Sequence, residues 1–343
     1  MNQTKSLIAG LMMHQPLAAP EIARVSANAS HNFSVAKVIA ILTVMAGHWF
    51  TGTILWIPVT FGLFVFAFSS AYFTARIYGV AIDRARFWRK KLERLGLRYW
   101  VILSFLSVIV AIKGGTVLHW HTLVHFLGVS GAINWLFIPN RSGLGAGLWF
   151  FTLLLLFYIG YPYLAKLCKP KISAGLLAIA ATAGAVYLEN TYKVGHELWL
   201  TALGFLLGVV FGLHEARIRA WGAAVLFTVA CGALLALNML GAQRQFNTVL
   251  IAAASISLSL WLAQATPIFR AAGAVVAKLE KYLLEMFLIH TYLFVHFSGS
   301  SVVDFLTSVL LVILAAIVLS MAVEWMSKRI FESKRADFQA NAV

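Results

Sequence analysis

An all-helical, polytopic membrane protein is the fold class this sequence predicts, and three observations predict it. Of the 343 residues, 61% are hydrophobic and 11% charged, and the mean hydropathy is +0.85, well outside the range of soluble domains. Ten apolar runs of about the 20 residues that cross a hydrocarbon core follow one another. They lie at 33–56, 61–80, 97–118, 147–167, 172–189, 198–214, 221–240, 246–266, 281–299 and 302–327. The basic residues alternate between the intervals. With the N-terminus in the cytoplasm, twenty-one of the 27 lysines and arginines fall on that side and four on the other, with Lys37 and Arg76 inside runs. Cytoplasmic loops carry such an excess, so about ten transmembrane helices with both termini cytoplasmic are expected. The net charge of +15 is thereby read as topology, and no nucleic-acid partner is expected.

Three parts follow in order: a tail at 1–31, a membrane domain at 32–330 and a cytoplasmic tail at 331–343. In the first tail, the apolar stretch from Leu7 to Met13 is too short to span, and Pro16 and Pro20 follow it. The first apolar run, Phe33 to Ile57, holds two ionisable residues, Lys37 and His48. Their eleven-residue separation is three helical turns plus about 20°, so they share a face about 16 Å apart. Counted from residue 33, His48 is expected at or beyond the midplane. Intramembrane ionisable groups are costly and usually functional. The interval after the second run carries Arg84, Arg86, Arg89, Lys90, Lys91, Arg94 and Arg98 against Asp83 and Glu93. It reads either as a topology anchor touching anionic lipid or as an anion site at the cytoplasmic mouth, where guanidinium forks bind phosphate.

The opposite-side interval 119–146 holds His119, His121 and His125, read as interfacial residues ahead of metal ligands because no acidic or Cys partner is near. Trp149 opens the fourth run, which also contains Tyr158 and Pro162. Pro162 is a candidate kink. The fifth and sixth runs are short and glycine-rich, and so are candidates for tilted or broken helices. Gly204, Gly208 and Gly212 have helix-packing spacing. In the ninth run, Glu285 is the one carboxylate near the middle of any run, and an unpaired carboxylate in lipid must be neutral or paired. His290 follows five residues later, about 140° around a helix, so the two are not expected to face one narrow site. Cys168 and Cys231 show neither metal nor disulfide spacing and read as packing residues.

Five patches in this order resemble the acyltransferase-3 family, integral-membrane O-acyltransferases of bacterial surface glycans with eukaryotic relatives. They are Lys37-x10-His48; the phenylalanine-rich stretch from Phe61 to Phe73; the basic segment from Phe87 to Trp100; Leu148-Trp149 with Phe157-Tyr158 and Pro162; and Phe287-Leu-Ile-His290. Three departures stand out. Lys37 replaces the family's arginine, Leu97 replaces a proline, and Leu153 to Leu156 replace a serine-x-x-glutamate pattern.

The resemblance implies a stand-alone transferase in the bacterial inner membrane. Its reaction moves an acyl group, most often acetyl, from acyl-coenzyme A to a hydroxyl of a surface or exported glycan, free or lipid-linked. Acetyl-CoA is then a donor substrate, and neither a resident cofactor nor a metal is implied. His48 is the catalytic base or acyl carrier, and Lys37 holds a phosphate or polarises the thioester carbonyl. Lys90, Lys91, Arg94, Arg98, Trp149, Tyr158, Glu285 and His290 are the substrate-binding set. Polysaccharide-synthesis proteins or a second copy are partners in keeping with such a role, alongside membrane lipid. Two rival readings are a transporter or flippase of lipid-linked sugar, which also uses intramembrane charge, and a non-catalytic scaffold of an export complex.

Overall fold

The computed structural model describes residues 19–192, 195, 198–214, 219–240 and 245–340. Among the described residues every regular element is helical. The Leu7 to Met13 stretch, Lys5, Pro16, Lys193, Arg217 and Arg244 lie outside them, as do the last residues of the C-terminal tail. Eight helices among the described residues are long and apolar enough to cross a membrane. The chain is a polytopic all-α membrane protein.

The first helix, α1, is Ala19–Trp49. Residues 19–31, read as tail, therefore continue the first membrane helix. The same helix ends earlier than the apolar run does. Gly52 adopts φ +76°, and the Thr53 hydroxyl donates to the Phe50 carbonyl at 2.8 Å, so the chain turns there. His48 accordingly sits in the last turn of α1, at its far end. Hydropathy did not show this, because Phe50, Ile54 and Leu55 keep the run apolar through the turn.

Helix α2, Trp56–Tyr78, returns, and α3, Arg84–Ile112, crosses again. The basic stretch 84–98 is thus the first half of a long helix, not a loop. Asp83 caps it by accepting from the Arg86 amide at 3.2 Å, and Arg, Lys, Leu and Glu are good helix formers. Two short helices, α4 (Trp120–Phe126) and α5 (Ser130–Trp135), lie in the opposite-side interval. Then come α6 (Trp149–Leu167), which runs through Pro162, α7 (Lys171–Thr191), α8 (Leu198–His214), α9 (Ala220–Met239) and α10 (Gln245–Gln264). α7 and α8, the candidates for broken helices, are continuous. α8 is the shorter, at 17 residues. Its glycines let it lie directly on the phenylalanine-rich α2. A Cβ at Gly204 would come within 2.8 Å of the Phe64 carbonyl, and one at Gly212 within 2.7 Å of the Tyr72 carbonyl.

The break falls instead in the ninth run. After α11 (Arg270–Ala277), the chain forms a 3-10 turn at Lys278–Tyr282, seven residues of α-helix α12 (Leu283–Ile289), a second 3-10 turn at His290–Leu293, and then extended chain at Phe294. Neighbours replace the lost helical bonds. Lys113 Nζ donates to the Tyr292 carbonyl at 2.7 Å, the Ser308 hydroxyl accepts from the Val295 amide at 3.0 Å, and the Asp304 carboxylate accepts from the amides of Phe297 and Ser298. Ser308 and Asp304 lie on the last helix, α13 (Ser301–Ala340), which packs against the broken segment. α12 itself is wrapped by α1, α3, α6 and α13, in a core that includes Met45, Leu106, Trp149, Phe287 and Val312.

Candidate active site

The broken segment supplies partners to Lys37 and His48 on α1 and to Arg98 on α3. Lys37 Nζ is bound by the Glu280 carboxylate, which also accepts from the Ser34 hydroxyl. Arg98 Nη1 lies 3.1 Å from one oxygen of Glu285 and 3.4 Å from the other, and donates to the Lys281 carbonyl at 3.0 Å. His48 faces His290, with ring centroids 5.2 Å apart. Glu280, Glu285 and His290 follow one another at five-residue steps, so the partners climb through the membrane in the same order as their mates. Glu285 and His290 point to different helices, as their 140° offset requires. The break in the helix does not bring them to one site.

These three contacts differ in kind. Two are ion pairs, one part-exposed and one with the carboxylate fully buried, and such pairs satisfy the charges that made the residues conspicuous. The third is a contact between two imidazole rings with hydrogen-bonding capacity to spare. His290 is buried. Its Nδ1 lies 2.7 Å from the Phe287 carbonyl, which can only accept, so Nδ1 carries the proton and Nε2 is a bare acceptor. That Nε2 has no hydrogen-bond partner. Gly147, at φ +74°, lets the chain pass close by: a Cβ there would meet the Phe287 carbonyl at 3.4 Å and His290 Cε1 at 3.9 Å. Phe150 packs on Phe287 at 4.4 Å, and the buried Trp149 ring lies 6.4 Å from Phe287. His48 itself is exposed, and Trp49 beside it stacks on the exposed His296 at 4.4 Å and donates to the Ser301 hydroxyl at 2.9 Å. The arrangement is an accessible imidazole backed by a buried one in an aromatic wall.

The basic mouth lies at the opposite end of α3. Lys91 sits 4.1 Å above the Tyr158 ring and within 6 Å of the Tyr78 and Phe87 rings, and the Tyr158 hydroxyl bonds to Ser70 at 2.9 Å. Arg89 pairs with Glu93 at 2.8 Å, and Arg84 lies over Tyr163. Lys90 and Arg94 are exposed. From Lys91 to Lys113, whose Nζ reaches the Tyr292 carbonyl, α3 rises about 33 Å.

The predicted site residues therefore fall into separate groups. His290 lies against His48, and Trp149 stands behind it in the wall, 6.4 Å from Phe287. Lys90, Lys91, Arg94 and Tyr158 gather at the mouth. Arg98 and Glu285 bind each other between the two, and Lys37 is about 16 Å along α1 from His48. Lys37 and His48 share a face, as spacing requires, but the structure does not bring their side chains together. Sequence reading missed Glu280 and Trp49. Glu280 sits between Lys278 and Lys281 in what reads as a solvated linker, and no period marks a 3-10 turn. Trp49 stands inside an apolar run with no pattern that singles it out.

The histidines of the opposite-side interval hold local structure. His119 accepts from the His121 amide, His121 Nδ1 accepts from the Arg141 amide at 2.9 Å, and His125 Nδ1 bonds to Ser130 at 2.9 Å. Burial pushes His121 and His125 below the ordinary histidine value, and for His121 the neighbouring His119 and Arg141 add to it. No group of three or more metal-binding side chains occurs among the described residues.

A family model described as an acyltransferase domain matches residues 30–326, from within α1 to within α13. No curated protein matches the chain, and no solved structure does.

Proposed function

The chain belongs to the acyltransferase-3 family of membrane acyltransferases, and from that premise we propose that it transfers an acetyl group from acetyl-CoA to a hydroxyl of a surface or exported glycan, in the bacterial inner membrane. The observation that carries this reading is the exposed His48, backed by a second imidazole, in an otherwise aromatic and apolar setting. The acceptor hydroxyl gives its proton to His48 as its oxygen attacks the thioester carbonyl carbon. The carbon–sulfur bond breaks, and the leaving thiolate takes the proton from the His48 imidazolium. A neutral imidazole suits this task near pH 7.

Exposed Lys90 and Arg94 at the other end of the span are the donor's phosphate-binding groups in this reading. A phosphate-rich donor is drawn to such cations through charge-assisted bonds. Lys91 and Tyr158 shape the mouth as a cation-aromatic wall. What supports an acceptor on the far side is the position of His48 in the last turn of α1, away from the basic end. Lys37 and Arg98 take a positioning part: through Glu280 and Glu285 they hold α1 and α3 against the broken segment that presents His290.

Purified protein in lipid, given acetyl-CoA and a glycan acceptor, tests this. His48→Ala is expected to lower acyl transfer by about 10²- to 10⁴-fold, the usual worth of a positioned base, while insertion and melting temperature stay near wild type. Turnover by His48→Ala at the wild-type rate would refute the site.

A further inference from the structure

We infer that His290 is a positioning residue for the transfer reaction: its bare Nε2 receives a hydrogen bond from His48 and holds the His48 imidazolium while the acyl group moves. The inference rests on the acyl-transfer reading above. It begins from an anomaly. A buried polar nitrogen without a partner is costly, and His290 Nε2 is such an atom. Its tautomer is set by the Phe287 carbonyl, 2.7 Å from Nδ1, so Nε2 can only accept. The Phe287 carbonyl takes this bond where the α-helix gives way to a 3-10 turn at His290. The group facing Nε2's ring is His48, 5.2 Å away between centroids, a spacing at which a small ring rotation closes a nitrogen-to-nitrogen hydrogen bond.

The chemistry follows from donor counting. Neutral His48 has one N–H, and the imidazolium has two. When His48 takes the acceptor's proton on the nitrogen that faces the hydroxyl, its other N–H is directed at His290 Nε2, and charge-assisted bonds are the stronger ones. His290 keeps its own Nδ1 proton throughout. The hydroxyl proton passes to His48 and then to the departing thiolate, and nothing is left on His290 at the end. The contact is stronger in the charged intermediate than in the ground state, which makes it a contribution to kcat and not to donor binding.

Two near-isosteric variants separate this role from a purely structural one. His290→Asn keeps a donor where Nδ1 stands and removes the acceptor. His290→Gln places an amide oxygen where Nε2 stands and gives up the Phe287 bond. Thiol release from acetyl-CoA is followed with methyl glucoside as acceptor, on full-length protein in lipid, alongside thermal melting. His290→Asn is expected to lower kcat by about 10- to 100-fold with KM for acetyl-CoA unchanged, and His290→Gln to recover part of that loss. Should His290→Asn turn over like wild type, or should both variants lose activity equally, the positioning role is overturned. If His290→Asn fails to fold, His290→Gln decides alone: retained kcat supports the role and its loss overturns it. Wild-type protein that releases no more thiol than His48→Ala defeats the acyl-transfer reading itself, a result distinct from wild-type activity that is indifferent to His290.

Discussion

The lower and upper parts of α1 each carry an ionisable residue on the same face, yet they end in opposite states. Lys37 is closed by Glu280, whose carboxylate also accepts from the Ser34 hydroxyl. His48 is exposed, and the imidazole behind it keeps an unpartnered acceptor. The difference lies not on α1 but on the broken segment across from it, which offers a carboxylate at one level and a tautomer-locked histidine at the other. Intramembrane polar residues are thus of two sorts. Some are balanced pairs that fasten helices, and some are groups left with capacity for a ligand. Arg98 and Glu285 belong with the first sort, since Nη1 of the guanidinium lies within 3.4 Å of both carboxylate oxygens and the two charges offset each other.

The comparison breaks most readily at Glu285. Its carboxylate is fully buried while Arg98 is only partly so. Glu285→Ala should destabilise the protein by about 3–5 kcal/mol, read by unfolding in detergent, because it strands a largely buried guanidinium. The double variant Glu285→Leu with Arg98→Met should recover most of that loss. A single variant as stable as wild type would mean the pair does not fasten α3 to the segment.

At the basic mouth, Lys90→Ala and Arg94→Ala should each weaken binding of acetyl-CoA by about 1.5–3 kcal/mol if each loses a charge-assisted bond to phosphate. The effect should shrink as salt rises. Lys91→Ala should act differently: it opens the aromatic wall of Tyr78, Phe87 and Tyr158, and should cost melting temperature as well as affinity. Calorimetric titration showing all three variants alike would merge the mouth into one undifferentiated anchor.

The smallest effect is expected at Lys37. Its partner Glu280 is 38% exposed, so water can replace the bond, and Glu280→Gln should cost no more than about 1 kcal/mol. Lys37→Arg should be tolerated, and Lys37→Ala should slow turnover far less than His48→Ala. Equal losses from Lys37→Ala and His48→Ala would unite the two ends of α1 into a single site.

Much of this was legible in the residues. Composition, run length and the alternation of basic intervals specify a polytopic helical protein, because lipid tolerates only hydrogen-bonded spans of a set length and charge chooses their side. His48, Lys37, Glu285 and His290 were conspicuous because each is expensive in hydrocarbon. What hydropathy could not show was where helices stop. The turn after Trp49 and the 3-10 turns at 278–282 and 290–293 lie inside apolar or linker-like sequence, and the basic stretch 84–98 is helical despite reading as a loop.

By itself, then, the sequence determined the class of fold, its family and the short roster of costly side chains, since those depend on composition and local spacing. Tertiary structure alone decided the partners. Glu280 reaches Lys37 across 243 positions of chain, Glu285 reaches Arg98 across 187, and His290 meets His48 only where α12 breaks. A pairing between distant segments depends on how helices pack and where their backbone bonds are surrendered to side chains such as Lys113 and Asp304, and no periodicity within either segment encodes it.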